Sequence, residues 1–467
     1  MIRIINKYFY ISGVIMNILL LTYLTIGVSL DNSLWITNYT DKINSSKLNL
    51  NHNKETSAPL ALLNVKSLNL PTLSMDNKNG DNISNIVFVS NENQFIKEIS
   101  NIEKSKKIIL KNGVYTFNST KLRTNKIKNT HSKVIITAQN DGYVDFKLNT
   151  IEGILIDTPN WQINGINFKG ICPDDKKCEH GLHIVGDAKN IVISNNTFID
   201  FNAAIKVNKK DNLYPDDGII EYNRFHFTKP RNTATPVTPI NIDHANRWLV
   251  RKNIISDFSK ANGNKVSYAA FMKGGISDGI FEQNLVICSS DGKNLGTRVG
   301  LSLGGGGMSK TARRNQAEYE TRNSVIRNNI IMNCNDVGVY IQKSLSAEVY
   351  NNTIYNTKGI DVRYSNSTAL IINNILNGKI RSRDKAKVYK ENNLTISKSY
   401  SLKKPTFNSI YKSPKDGDFS IISSDHINHY ISGYVKVSDG NTDDFCNNKV
   451  NDTPYIGAVL MSTNCFN

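Results

Sequence analysis

The chain has 467 residues, 39% of them hydrophobic, and a formal net charge of +17 with a pI near 9.4. This length and composition allow one long repeat domain, and the excess of Lys and Arg favours an anionic partner. The sequence shows no zinc finger, basic recognition helix or aromatic-studded RNA-binding strand. We therefore expect an acidic polysaccharide as the partner and do not expect nucleic acid.

The first 30 residues are predicted to be an export signal. Arg3 and Lys7 precede an apolar run, and residues 27–29 offer a cleavage point. Because the run is long for a signal peptide, an uncleaved N-terminal membrane anchor is the alternative. Both interpretations place the rest of the protein outside the cytoplasm, either secreted or in the cell envelope.

The next two segments lead into the main domain. Residues 31–84 are rich in Asn, Ser and Lys without sustained apolar periodicity, which predicts a flexible low-complexity spacer. Between residues 91 and 100, Phe95, Ile96 and Ile99 share one face of a predicted short helix. Such a helix would cap the open N-terminal end of a solenoid.

An Asn-centred motif recurs from residue 193 onward, as in ISNNTFI and IRNNIIM. The recurring residues are Asn196, Asn223, Asn253, Asn284, Asn329, Asn352, Asn374 and Asn393. This repeat, with alternating strands and no helical spacing between motifs, predicts an all-β fold, a parallel β-helix with three strands per coil. Asn tolerates the left-handed backbone of a coil corner, and its amide can bond to the Asn of the next coil. We assign residues 85–403 to the β-helix and 404–467 to a C-terminal coil and cap.

Three long insertions, at 209–217, 228–242 and 289–323, interrupt the coils and would wall a groove along one coil face. The four glycines at 304–307 suit either a close approach to a ligand or a flexible loop. They lack the strand-to-helix context of a nucleotide-binding loop.

Six cysteines fit an oxidising compartment. Cys172 and Cys178 form one expected local disulfide, and Cys446 and Cys465 form another. Cys288 and Cys334 would stack one coil apart, either as a third disulfide or as two buried thiols.

Two cations near the end of the repeats could carry chemistry. Lys343 lies shortly before Asn352 and Arg363 shortly after it, so both would occupy similar places on adjacent coils, about 4.8 Å apart. A like charge that close lowers the pKa of a lysine, as a general base requires. The alternative is that both side chains point into water.

At these residues the sequence resembles the right-handed parallel β-helix polysaccharide lyases of the chondroitinase B and alginate lyase type. The matching segments are QKS (342–344) and GIDVRYS (359–365). The resemblance implies that Lys343 removes the proton alpha to a uronate carboxylate and that Arg363 assists at the leaving-group side. It also implies calcium-coordinating acids just before the lysine, where Asp336 matches but Gly338 replaces a second acid.

A rival centre lies around Lys273, which precedes two glycines. Counting from Asn284 predicts that Met272 points inward and Lys273 outward. The alternative is a lysine that merely flanks a glycine turn. The further candidates for substrate binding are Arg298, Tyr340, Tyr364 and His244.

These patterns predict a monomeric lyase that cleaves an acidic polysaccharide by β-elimination. A hydrolase on the same fold would need two carboxylates, for which Asp336 and Asp361 are the candidates. The same fold and charge also suit a uronan epimerase, or a glycan-binding, adhesive solenoid without catalysis.

Overall fold

The structure, a computed structural model, describes residues 83–467 with gaps at 101, 119–121, 124–131, 293–295, 306, 397–404, 424, 426, 438–442, 451–452, 461–463 and 467. The predicted export signal and almost all of the predicted spacer lie outside the described residues. Within those residues, no helix is both long and apolar enough to cross a membrane.

The chain is built mainly of short strands. The first nineteen are β1 (Ile86–Val89), β2 (Lys106–Leu110), β3 (Gly113–Asn118), β4 (Leu122–Arg123), β5 (Val134–Ala138), β6 (Val144–Asn149), β7 (Glu152–Ile156), β8 (Trp161–Asn164), β9 (Asn167–Gly170), β10 (His180–Val185), β11 (Val192–Ser194), β12 (Thr197–Ile199), β13 (Ile205–Asn208), β14 (Ile219–Glu221), β15 (Arg224–His226), β16 (Ile240–Asp243), β17 (Leu249–Arg251), β18 (Ile254–Ser256) and β19 (Val266–Lys273).

The remaining strands are β20 (Ile276–Ser277), β21 (Ile280–Glu282), β22 (Leu285–Ile287), β23 (Thr297–Leu303), β24 (Thr321–Arg322), β25 (Val325–Arg327), β26 (Ile330–Met332), β27 (Val339–Gln342), β28 (Ser344–Leu345), β29 (Ala347–Tyr350), β30 (Thr353–Tyr355), β31 (Gly359–Arg363), β32 (Thr368–Ile372), β33 (Ile375–Asn377), β34 (Lys379–Arg383), β35 (Lys387–Glu391), β36 (Leu394–Ile396), β37 (Tyr411–Ser413) and β38 (Asp418–Ile421). The α-helices are α1 (Glu92–Ser100), α2 (Phe407–Ile410) and α3 (Asn428–Ser432).

These strands form the predicted right-handed parallel β-helix. Sheet A runs β1-β2-β5-β8-β11-β14-β17-β21-β25-β29-β32-β35, sheet B runs β3-β6-β9-β12-β15-β18-β22-β26-β30-β33-β36, and sheet C runs β4-β7-β10-β13-β16-β19-β23-β27-β31-β34. Each coil passes through sheets A, B and C in turn, and each strand pairs in parallel with its counterpart one coil on. The inward side chains of all three sheets build one continuous apolar core.

The predicted asparagine ladder is present inside the coils. The Nδ2 of each Asn, from Asn196 to Asn374, donates to the Oδ1 of the next at 2.8–3.1 Å. One expectation was wrong, because the left-handed residue of each corner is the one before the ladder Asn, as at Tyr222 and Lys252. The ladder Asn instead points inward, where its amide satisfies backbone groups that cannot reach water.

The left-handed corner residues of the later coils are themselves Asn, and their amides point outward. They donate to backbone carbonyls of a C-terminal strap, the described residues between 430 and 460. The pairs are Asn328 to Asp443, Asn351 to Tyr455, Asn373 to Val435 and Asn392 to Tyr430. The doubled asparagines of the later motifs therefore mark where the strap binds.

The C-terminal segment does not add the predicted terminal coil. Its two strands, β37 and β38, pair antiparallel with each other and belong to none of the three long sheets. Its apolar side chains, including Phe407 and Phe419, pack with Ile330 and Met332 of sheet B. The segment thus covers the side of the β-helix.

The helix α1 caps the N-terminal end as predicted, with Phe95 and Ile99 fully buried. Cys172–Cys178 and Cys446–Cys465 form disulfides, and the two remaining cysteines, Cys288 and Cys334, form a third.

Candidate functional site

The outer face of sheet C is the floor of a groove. The chain enters sheet C from sheet B through 227–239, 257–265 and the described residues of 288–296. It leaves sheet C through 209–218 and the described residues of 304–320. The predicted insertion 289–323 is therefore two loops on opposite edges of the sheet, separated by β23. The segments that enter sheet C are long at β16, β19 and β23, and those that leave it are long at β13 and β23, whereas both kinds are short at β27, β31 and β34.

Strand alternation places charged side chains on this floor. Ile242 and Met272 point into the core, and Asp243 and Lys273 are partners in the register of β16 and β19. Lys206 and Asn241 are likewise partners in β13 and β16. The expectation that Met272 points inward and Lys273 outward matches this arrangement.

Three of these side chains form a compact charged trio. The Nζ of Lys206 donates to Asp243 Oδ2 at 2.5 Å and to Asn241 Oδ1 at 2.9 Å. The Nζ of Lys273 lies 3.8 Å from Asp243 Oδ1 and 4.5 Å from the ring centroid of Phe271. Lys206 and Lys273 are only 16% and 15% exposed, and Asp243 only 8%. Two ammonium groups thus share one nearly buried carboxylate.

The electrostatics of the trio follow from this burial. Desolvation lowers the pKa of Lys206, Asp243 opposes that shift, and the charge of Lys273 lowers the pKa further. Within the described residues, no hydrogen bond holds the Nζ of Lys273, so this nitrogen is available to a molecule in the groove.

A pair of histidines continues the floor beyond Lys206. His183 is the register partner of Lys206, and its ring nitrogens lie 2.7 Å from Glu152 Oε1 and from Asn208 Oδ1. The ring of His180 lies 4.8 Å from that of His183, and burial lowers the pKa of His180 to about 3. Both rings are therefore fixed in place beside the trio.

The wall formed by 304–320 is tied to the neighbouring coils. Arg314 donates to both carboxylate oxygens of Asp216, at 2.6 and 3.0 Å, and its guanidinium lies 4.0 Å from the ring centroid of Tyr214. The predicted substrate ligand His244 is 7% exposed, and its Nε2 donates to the carbonyl of Ala312 at 3.0 Å. His244 therefore anchors the wall, and burial lowers its pKa.

The glycine run at the start of this wall packs against the trio. Gly304 has a φ of +82°, and a Cβ there would lie 2.0 Å from the carbonyl oxygen of Gln342. A Cβ on Gly305 would meet Lys273 Cδ at 3.2 Å and the Phe271 ring at 3.4 Å. Gly304 and Gly305 thus lie close to protein neighbours, Gln342 and Lys273 respectively.

Glu320 connects the Lys273 and Lys343 regions. Its Oε2 accepts from the backbone N of Gly274 at 2.8 Å, and its own backbone N donates to the carbonyl of Lys343 at 2.7 Å. Glu320 is fully buried beside Arg313, and burial raises its pKa. The two proposed centres are thus neighbouring parts of one groove.

The predicted pairing of Lys343 with Arg363 is shifted by one residue. Gln342 is the register partner of Arg363, whereas Lys343 lies at the corner after β27 with a φ of +50°. The ring of Tyr364 lies between the two cations, 5.4 Å from Lys343 Nζ and 4.9 Å from the Arg363 guanidinium. Arg363 also pairs with Asp384, which raises its pKa.

The remaining predicted ligands lie in different surroundings. Tyr340 points outward on β27, and burial raises its pKa. Arg298 is 4% exposed and donates to the carbonyl of Cys288 at 3.0 Å, so its side chain is buried against the segment that follows β22 and does not face the groove. Asp336 pairs with Lys358 at 3.4 Å, and Asp361 is 3% exposed between Arg381 and Arg383.

The residues around Asp336 do not fit a calcium ion. In the part of the chain that the structure describes, no three His, Cys, Asp or Glu side chains converge as metal ligands. Asp336, the acid that the resemblance implies, faces a lysine, and Gly338 supplies no side chain. A calcium ion would therefore find one carboxylate here, already paired with a cation.

Sequence reasoning did not single out Lys206 or pair it with Asp243. The available signal was the alternation in AAIKVN (203–208), which places Lys206 outward. The insertion 227–239 hides which residue of the next coil lies opposite, because its length moves the register by an unknown amount.

Comparison with known proteins gives the same architecture. No protein-family model and no curated protein matches the sequence. The crystal structure of pectate lyase Pel9A is similar with a TM-score of 0.51 and 14% identity over 81% of this chain and 96% of that one. An alginate lyase from Paenibacillus sp. str. FPU-7 has a TM-score of 0.37 and 12% identity, covering 67% of this chain and 99% of that one. A mannuronan C-5 epimerase module from Azotobacter vinelandii has a TM-score of 0.36 and 11% identity, covering 67% and 100%.

The class of protein that follows is a parallel β-helix protein with the fold of polysaccharide lyases. The resemblance expected from the sequence is confirmed at the level of the fold. At identities this low, the likeness extends to the fold alone.

Proposed function

We propose that the protein is a secreted lyase that cleaves an acidic, uronate-containing polysaccharide by β-elimination. The observation that carries this proposal is the nearly buried trio of Lys206, Asp243 and Lys273 on the outer face of sheet C. β-Elimination needs a base near the proton alpha to a carboxylate and a positive charge beside the enolate that forms. The trio contains both kinds of group.

The two lysines share one carboxylate, Asp243, so the trio has no net charge when one lysine is in its neutral form. We assign the role of base to Lys273 in its neutral form, because no hydrogen bond among the described residues holds its Nζ, whereas the Nζ of Lys206 donates to Asp243 and Asn241. Lys273 takes the alpha proton, and the electron pair released forms the carbon–carbon double bond. The bond from the beta carbon to the glycosidic oxygen then breaks, and that oxygen takes a proton from solvent.

Localisation outside the cytoplasm is part of this proposal. The three disulfides are of the kind that persist in an oxidising compartment. The charged and apolar N-terminal segment provides the corresponding export signal or membrane anchor.

The test is the ultraviolet absorbance of unsaturated uronate during incubation with polygalacturonate, alginate or chondroitin sulfate. Polygalacturonate comes first because a pectate lyase shares the fold. We expect Lys273→Met to lower the rate by about 10²- to 10⁴-fold and Lys343→Met to keep most of it. The reverse result would return the role of base to Lys343, as the sequence resemblance implies. Parallel reactions with calcium and with a chelator test the metal.

A hydrolase, an epimerase and an adhesive protein would each give a different result in this test. Asp336 and Asp361, the candidate acids of a hydrolase, are each paired with a cation, so the geometry favours elimination. New reducing ends without absorbance would indicate a hydrolase after all. Uronate residues with inverted configuration in an uncut chain would indicate an epimerase. Saturable binding without any product would indicate an adhesive protein.

A further inference from the structure

The end of sheet C with short connecting segments carries a set of cations that the proposed reaction does not use. This distal cationic patch consists of Lys343, Arg363, Lys379, Arg381 and Arg383, all on or beside the last coils of sheet C. The arginine side chains remain 36–44% exposed. The patch is therefore open to solvent along the floor of the groove.

Folding alone gives no reason for this arrangement. Arg363 and Arg383 are direct register partners on adjacent strands, and like charges placed opposite each other are destabilising. Within the described residues, these three arginines share two carboxylates, those of Asp361 and Asp384. A cluster whose like charges are only partly compensated by the fold is expected where a ligand supplies further anionic contacts.

Within the described residues, Arg381 has most of its donors available. Its guanidinium has one loose contact, 3.7 Å from Asp361, which Arg383 holds with a hydrogen bond of 2.9 Å. A guanidinium in this state can form the two parallel hydrogen bonds that bind a carboxylate.

The patch continues the floor that carries the trio. Arg363 lies three coils beyond Lys273 and Arg383 lies four, which corresponds to roughly 14 and 19 Å at about 4.8 Å per coil. Tyr340, on β27, lies between Lys273 and Arg363 on the same face. A linear chain bound at the trio and running along the coil axis would pass directly over the patch.

We propose that the distal cationic patch binds carboxylates of the polysaccharide beyond the cleavage centre, an assignment that rests on the proposed function. The patch adds affinity only for chains long enough to reach it. Its contribution falls as salt increases, because charges this exposed are screened over about 10 Å at 0.1 M ionic strength. Lys343 and Arg363 thereby become binding residues.

The test uses the double variant Lys379→Gln/Arg381→Gln, which leaves Arg383 paired with the buried Asp361. The matched control is Lys387→Gln/Lys390→Gln, which removes the same charge from β35, the next strand, in sheet A. Dissociation constants are measured on the full chain carrying Lys273→Met, with polygalacturonate and alginate as polymers and as trisaccharides, at low and high salt.

We expect the double variant to bind the polymer roughly three- to tenfold more weakly at low salt, with the trisaccharide and the control unchanged. Equal losses in the control, equal losses for the trisaccharide, or no polymer binding by the protein would overturn the assignment. A different result would refute the proposed function and leave the patch assignment intact: wild-type protein that binds these polymers through the patch but never cleaves them.

Discussion

Replacing one ladder asparagine should show how much of the stability of the β-helix depends on buried amides. In Asn284→Ala four hydrogen bonds are lost, two donated to Val250 O and Asn329 Oδ1 at 2.9 Å and two accepted from Asn253 at 3.0–3.1 Å. Asn284 is fully buried, so water cannot replace these bonds. One unsatisfied backbone N–H costs about 1–3 kcal/mol and each further lost bond about 0.5–1.5 kcal/mol. We expect the free energy of unfolding to fall by about 2.5–7.5 kcal/mol.

The control is Asn393→Ala at the end of the ladder. Asn393 also makes four hydrogen bonds, but its side chain is partly exposed. Because water can take over those bonds, we expect a loss of only about 1–2 kcal/mol. Urea unfolding followed by the fluorescence of the buried Trp161 and Trp248 gives both values. Equal losses in the two variants would refute the reasoning, since the two asparagines differ in solvent access and not in bond count.

Three further predictions concern the walls, the covalent links and acid stability. Arg314→Met should make the segment 304–320 more susceptible to limited proteolysis, because the ion pair between Arg314 and Asp216 is lost. The control Lys310→Met removes an exposed ion pair with Glu318 and should leave the cleavage rate unchanged. Replacing Cys288 and Cys334 by Ala should cost up to about 4 kcal/mol, against about 2 kcal/mol for Cys172 and Cys178, because the closed loops span 46 and 6 residues; equal losses in chemical denaturation would contradict this. Since the pKa of His180 is lowered to about 3, only the unfolded chain takes up its proton between pH 6.5 and 3, so stability should fall there by ~1.4 kcal/mol per pH unit. The His180→Gln variant should lose less over the same range, and an identical pH profile would exclude His180 as the cause.

The sequence was sufficient for the fold because the β-helix repeats one local rule. The ladder Asn and the alternation around it recur in each coil, so each coil could be recognised from a few residues. The doubled Asn of the later coils was visible in the same motifs. Its role was missed because its partners lie 38 to 115 residues away, in a strap with no repeat of its own.

The site was harder to predict because a groove depends on register across coils of unequal length. Lys343 and Arg363 are separated by one short coil, and even there the alignment was wrong by one residue, because Lys343 occupies a left-handed corner. Lys206 and Asp243 are separated by a wall of more than ten residues, and no local pattern shows that they meet. Lys273 was placed outward correctly because its distance to the ladder Asn contains no insertion.

The position of the walls explains why the trio, and not the distal patch, is the better candidate for chemistry. A lysine and a carboxylate in open water interact weakly, and their pKa values stay near those of free side chains. The trio lies where 227–239 and 304–320 flank both sides of sheet C, so its charges are desolvated and the pKa of Lys206 is lowered. The patch lies where the walls are short and its arginines remain exposed, which suits reversible capture of a long anion. The groove therefore has two parts. The buried trio can exchange a proton with the substrate, and the exposed distal cationic patch can hold the polysaccharide chain.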